Sequence, residues 1–153
     1  MRFGLYQKSD AISYYPMAPL SLDNKGENFT DLFDLYRAGA TWFGHGAGSL
    51  QAVDLMSKSL QYLQTLPVTI VSRPDTEALS LYGQIHEGLQ STLLGLKGIP
   101  VLSESMSIQR DLDLLRYVRA NAFGLAHADY RLHFSCISTA AGVDLIQAAK
   151  AEG

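Results

Sequence analysis

Val68-Thr69-Ile70-Val71 is a short, β-branched, uninterrupted apolar run that follows Pro67. A run of that length and composition is expected as a strand of a parallel sheet, buried on both faces. Parallel strands need crossover connections, so helices must lie between this strand and its neighbours. The surrounding sequence provides them. Ala11–Tyr15 (AISYY) predicts a strand ending at Pro16, and Asn28 or Thr30 is placed to cap a helix running through Ala38. Leu32, Leu35 and Tyr36 share one face of that helix, and Gly39 sits where a helix terminus takes positive φ. Ala40–Phe43 (ATWF) predicts a very short strand, followed by the flexible loop Gly44-His45-Gly46-Ala47-Gly48. Ser49 then caps a helix with Val53, Met56, Leu60 and Leu63 at helical spacing, and Pro67 ends it.

Beyond Val71 the pattern loosens. Gly83, Gly88, Gly95 and Gly98 interrupt Ser72–Gly98, which reads as a long loop with helical turns near Leu79 and Leu93. Val101–Val118 follows as a helix with Ile108, Leu112 and Leu115 in one stripe. Arg131–Ile137 predicts another strand. Ser138 or Thr139 caps a last helix, Ala140–Ala151, whose inner face would carry Val143, Ile146 and Ala149. The fold class is therefore α/β, built of parallel βα units. Four strands and about four helices fit 153 residues as one domain, 1–153. Two architectures satisfy the pattern: a small open doubly wound sheet, or part of a closed (β/α)8 barrel. The second would leave strand edges that need cover.

Charge and composition exclude several classes. Twelve Lys and Arg against fifteen Asp and Glu give a net charge of −3, with no basic run to bind nucleic acid or an anionic membrane. No apolar run approaches the roughly 20 residues that span a bilayer, and Met1–Asp10 lacks the apolar core of a secretory signal. A single cysteine, Cys136, rules out an internal disulfide framework and a CxxC zinc site. These features predict a cytoplasmic protein.

Sites in α/β folds gather at the carboxyl ends of the strands. The candidate stretches are Gly44-His45-Gly46, Ser72-Arg73-Pro74-Asp75 and Ser135-Cys136. His45, on a glycine-flanked loop, suits a metal ligand or a general base. A plain loop histidine accounts for the same pattern. His133 and Cys136 lie three apart in the predicted strand, which puts them on opposite faces. His86 falls in the irregular loop and His127 in a surface connection. No HxH, HExxH or paired-carboxylate spacing occurs, and the glycine loop has neither the GK[ST] of a Walker motif nor a GxGxxG spacing.

Longer stretches carry more. Ser135–Gly153 (SCISTAAGVDLIQAAKAEG) resembles the dihydroorotase signature in which His-Val-Ser-Thr opens a helix ending in Ala-Lys and Gly. Gly98-Ile99-Pro100, Glu104 and Arg110-Asp111-Leu112 are similar to that family's Gly-Ile-Pro…Glu…Arg-Asp-Leu pattern. Ala38-Gly39-Ala40-Thr41-Trp42-Phe43, Gln51 and Leu55-Met56 resemble its Ala-Gly-Ala…Phe-Ser-Asp-Asp-Gly…Gln…Leu-Met block. Gly83–Gly88 (GQIHEG) and Leu94-Gly95-Leu96 match its Gly…Glu-Gly and Leu-Gly-Leu. The resemblance runs from about Ala18 onward.

The resemblance implies the middle of a metal-dependent hydrolase barrel that interconverts carbamoyl-aspartate and dihydroorotate in pyrimidine biosynthesis, with zinc in the active relatives. The family's His-x-His pair would lie before residue 1 and its late catalytic Asp after Gly153. Its bridging Asp falls on His45, a metal His on Ser72 with Asp75 matching the Asp that follows, and the His of His-Val-Ser-Thr on Cys136. His133 matches an upstream His that is not a ligand. His45 and Cys136 are thus the altered metal-ligand positions that could still bind a cation. Ser72 is a poor ligand. No catalytic residue and no cofactor is carried over to this chain, and no substrate-binding residue is assigned. The expectation is a catalytically inactive dihydroorotase-like protein. The uncovered edges of a partial barrel predict association with a second copy, and the resemblance implies aspartate transcarbamoylase as the alternative partner of a non-catalytic scaffold subunit. An active enzyme completed by residues of another chain is the remaining reading.

Overall fold

Apolar side chains at alternating positions draw four short strands into one sheet. β1 (Met17–Pro19), β2 (Trp42–Gly44), β3 (Thr69–Ser72) and β6 (Arg131–Phe134) pair in that order, every pair parallel. The chain is described by a computed structural model over residues 15–153. The strand expected over Ala11–Tyr15 lies outside the described residues apart from Tyr15, which precedes β1. Between the strands run α1 (Leu32–Arg37), α2 (Val53–Leu63), α5 (Val101–Ala120) and, after β6, α6 (Ala140–Glu152). The fold is α/β with parallel strands in βα units, as the sequence pattern predicts. The strand order runs without a reversal, so the sheet has no switch point of the doubly wound kind.

One face of the sheet carries the core. Ala18, Phe43, Ile70 and Leu132 stand in register across the four strands. The first three are buried, and Leu132 packs against the same cluster. Leu32 from α1, Leu55, Met56, Leu60 and Leu63 from α2, and Val118 from α5 complete it. α1 packs on α2, α2 on α5, and α5 on α6. Among the described residues no helix covers the other face. Met17 and Trp42 are about 40% exposed, and Arg131 and His133 are exposed beside half-buried Thr69 and Val71. Trp42 meets His133 edge-on across this face, ring centroids 6.1 Å apart. β3 is therefore buried on one face only, because all the helices of the core cluster lie on the same side. The β-branched run shows β propensity, and propensity does not distinguish one covered face from two.

Local boundaries depart from expectation where a side chain has a tertiary partner. Asp31, not Asn28 or Thr30, caps α1, accepting from Asp34 N at 3.0 Å. Gly39 does take positive φ, +103°. Ser49 does not cap α2. Its hydroxyl donates to the Asp75 carbonyl at 2.8 Å, and the helix begins after Ala52. The buried face of α2 is Leu55, Met56, Ser59, Leu60 and Leu63, leaving Val53 exposed. Val143 is likewise exposed on α6, where Gly142 is the buried residue. The helical turns expected near Leu79 and Leu93 are α3 (Glu77–Ser80) and α4 (Leu89–Leu94). Between them β4 (Ile85–His86) pairs with β5 (Gly98–Ile99) as a second, two-stranded parallel sheet. Two-residue strands carry no period to read. Among the described residues no helix is long and apolar enough to cross a membrane.

Leu60 is fully buried in the cluster between α2 and the sheet. Leu60→Ala removes its contacts and leaves a cavity, and is expected to lower stability by about 2–5 kcal/mol. Urea unfolding followed by circular dichroism measures this, and a loss under about 1 kcal/mol would place Leu60 at a site that collapses freely.

Candidate functional site

Parallel strands end together, so the residues after β1, β2, β3 and β6 meet at one end of the sheet. Two clefts open there. The larger, about 740 Å³, is lined by Asn24, Lys25, Gly26, His45, Gly48, Ser49 and Arg73 together with Asp75 and Glu77. The smaller, about 290 Å³, holds Arg73, Asp75, His86, Glu104, Cys136 and Ser138 among its walls. Arg73 and Asp75 line both. The Arg73 guanidinium donates to the Ala47 carbonyl on the loop that carries His45.

His45 is half-buried, and partial burial holds its imidazole below the ordinary histidine pKa. Its Nδ1 lies 3.3 Å from Ser21 Oγ, which in turn accepts from Gly26 N at 2.9 Å. Cys136 is exposed and faces the smaller cleft. It lies beyond the end of β6, with φ +58°, so it is not the strand residue the sequence predicts. A left-handed cysteine is uncommon, and here it turns the chain from β6 toward α6. His133 stays in β6 against Trp42. His86 lies in β4 at the smaller cleft, and His127 is exposed, its Nδ1 accepting from Asp129 N at 3.0 Å.

Ser72 does not face either cleft. It shares the helix-facing side with Ile70, and its hydroxyl donates to Asp111 Oδ2 at 2.6 Å. Asp111 is fully buried on α5 and also accepts from Arg110 Nε at 2.8 Å; Arg110 Nη2 reaches the Leu50 carbonyl at 3.0 Å. Burial raises the Asp111 pKa, and the Arg110 and Ser72 contacts only partly offset it. Asp75 is committed as well. Ser103 donates to its Oδ1 at 2.5 Å and Ser80 to its Oδ2 at 2.7 Å.

Glu104 holds the start of α6. Ser138 donates to its Oε2 from backbone N at 2.9 Å and from Oγ at 2.8 Å. Thr139 donates to Oε1 from backbone N at 3.0 Å and from its hydroxyl. Thr139 also caps α6 by accepting from Gly142 N at 3.0 Å. Burial pushes the Glu104 pKa up, but the four hydrogen bonds outweigh it and leave the carboxyl below its ordinary value.

A binuclear zinc site needs several His and acidic ligands around a shared point. The described residues do not fit one. His45 and Cys136 line different clefts, and no group of three or more His, Cys, Asp or Glu among the described residues is placed to hold a metal ion. Arg73 lies in the candidate stretch directly after β3, whereas Lys25, in the turn after β1, lies in none of the three stretches.

The family profile described as "Dihydro-orotase-like" matches residues 5–131. A dihydroorotase of Pelotomaculum thermopropionicum is 34% identical over 94% of this chain and 31% of its own length. That of Ruminiclostridium cellulolyticum is 34% identical over 93% of this chain and 31% of its own length. That of Syntrophus aciditrophicus is 33% identical over 96% and 32%. The chain spans about a third of the length of these curated relatives.

The Glu104 clamp has a pH signature. Its folded-state pKa lies below the ordinary value of 4.5, so its contribution is present above that value and is lost as pH falls through the folded one. Stability should decline below about pH 5, and the decline should be shallower in Glu104→Gln, which costs about 1–3 kcal/mol at neutral pH. Thermal unfolding across pH 3–7 reads both; parallel profiles for the two proteins would remove Glu104 as the cause. A Cβ at Gly142 would lie 2.4 Å from Glu104 Oε1 and 2.9 Å from Ile108 Cδ1. Gly142→Ala should therefore destabilise by about 1–3 kcal/mol in the same assay, although alanine favours helices.

Proposed function

The chain belongs to the dihydro-orotase-like family, and from that premise we propose that it is part of a (β/α)8 barrel of the metal-dependent hydrolase type, catalytically inactive as this chain. Residues 1–153 then form a single dihydroorotase-like domain fragment, and the role lies in pyrimidine biosynthesis, with a cytoplasmic location. The one-sided helix layer and the unreversed strand order support the barrel reading, since a barrel winds in one direction with helices only outside.

The observation that carries the inactivity is the fate of the ligand positions. Ser72 turns its hydroxyl into the helix layer toward Asp111, while His45 and Cys136 line separate clefts. Two cations are needed to lower the pKa of a bridging water, and without their ligands no hydroxide forms near neutral pH. Hydrolysis of dihydroorotate, read as carbamoyl-aspartate by colorimetry with zinc added, is expected to stay at the buffer level. Turnover well above buffer refutes the reading. Metal analysis after chelation and refill separates it from an active enzyme with an altered site, which would retain zinc at fixed stoichiometry.

A scaffold role has its own support. The open face of the sheet leaves Met17 and Trp42 about 40% exposed beside half-buried Val71, and apolar surface in water costs roughly 25 cal/mol per Å². Cover by a second copy or by aspartate transcarbamoylase removes that cost. Size-exclusion with light scattering is expected to show a dimer, or a complex when the transcarbamoylase is added. A monodisperse monomer in both cases at micromolar concentration argues against it.

A further inference from the structure

The geometry points to the cleft beside His45 as a binding site for a small oxyanion, held by Lys25, by Arg73 and by the Nε2–H of His45. All three line the same cleft at the carboxyl ends of β1, β2 and β3.

The hydrogen-bond network favours one tautomer of His45. Ser21 is fully buried, its Oγ accepts from Gly26 N, and the acceptor that its own proton reaches is His45 Nδ1 at 3.3 Å. A neutral imidazole whose Nδ1 accepts carries its proton on Nε2. Nε2 lies between Cε1 and Cδ2, the two ring atoms that Gly26 and Gly48 approach, and neither glycine brings a side chain against that edge. The ring therefore presents a donor, not a lone pair, to the cleft.

Lys25 and Arg73 are exposed, and neither pairs with a carboxylate among the described residues. Arg73 spends one N–H on the Ala47 carbonyl, which steadies the guanidinium and leaves its other donors free. Two acidic residues also line the cleft. Asp75 has each oxygen engaged by a serine hydroxyl, from Ser103 and Ser80. Glu77 is exposed on the first turn of α3, where its backbone N–H donates to Gln51 Oε1. Neither is within ion-pair distance of Arg73 or Lys25. A planar guanidinium, a mobile ammonium and an imidazole N–H together match phosphate or a carboxylate, which accept several charge-assisted hydrogen bonds.

The inference does not depend on the inactivity proposed above, because binding is measured on metal-free protein and without turnover. The experiment is calorimetric titration of the full chain, pretreated with chelator, with inorganic phosphate and separately with succinate at low ionic strength. Saturable one-to-one binding is expected, and which of the two anions binds tells a phosphate source from a carboxylate one. Arg73→Ala and Lys25→Ala should each weaken it about tenfold or more, while Arg73→Lys keeps part of the affinity and Arg37→Ala, on α1, changes nothing. The imidazole ¹⁵N spectrum should show His45 as the Nε2–H tautomer, with Nε2 shifting on titration. Thermal unfolding checks that the variants fold. No saturable binding of either anion, or equal affinity in the Arg73→Ala and Lys25→Ala double variant, overturns the assignment.

Discussion

Helix α5 carries two buried carboxylates seven residues apart, Glu104 and Asp111, and so on one face of the helix. Each is fastened to a different part of the fold. Glu104 accepts four hydrogen bonds from Ser138 and Thr139 and so anchors the start of α6. Asp111 accepts from Ser72 at the end of β3 and from Arg110, which itself reaches the Leu50 carbonyl before α2. A buried carboxylate is costly unless its oxygens are satisfied. Both are satisfied here, so α5, the end of β3 and α6 are held in one relative position. Gly142 belongs to the same arrangement, since only a residue without a side chain leaves room for the Glu104 carboxylate.

That fastening determines what the strand ends can do. With Ser72 drawn outward to Asp111, the first side chain after β3 that reaches the clefts is Arg73. Asp75 is drawn to Ser80 and Ser103, which ties the loop after β3 to α3 and α5. Asp75 and Glu104 near this end of the sheet are therefore engaged in structure, while Glu77, Lys25 and Arg73 form no ion pair among the described residues.

Much of this was legible in residues. The alternation of short apolar runs with helical stripes announced parallel βα units, and the positions after each strand marked where a site would lie. The resemblance of Gly98–Leu112 and Ser135–Gly153 to one family pointed to residues whose structural role is now plain: Glu104, Arg110, Asp111 and Thr139 form the α5 network. What was not legible depended on contacts far apart in the chain. Ser49 has the chemistry of a cap but is used by Asp75, 26 residues away. Val53 and Val143 fit their helical stripes yet face solvent, because periodicity does not tell which of two adjacent arcs meets the core.

By itself the sequence determined the fold class, the order of the elements and the family, since these follow from local pattern and from motifs that keep their spacing. Only the tertiary structure decided that the sheet is covered on one face, that His45 and Cys136 occupy separate clefts, and that Lys25 and Arg73 share one with His45. The reason is physical: burial, pairing and proximity are relations between residues distant in the chain, and the packing of α5 against β3 and α6 sets them.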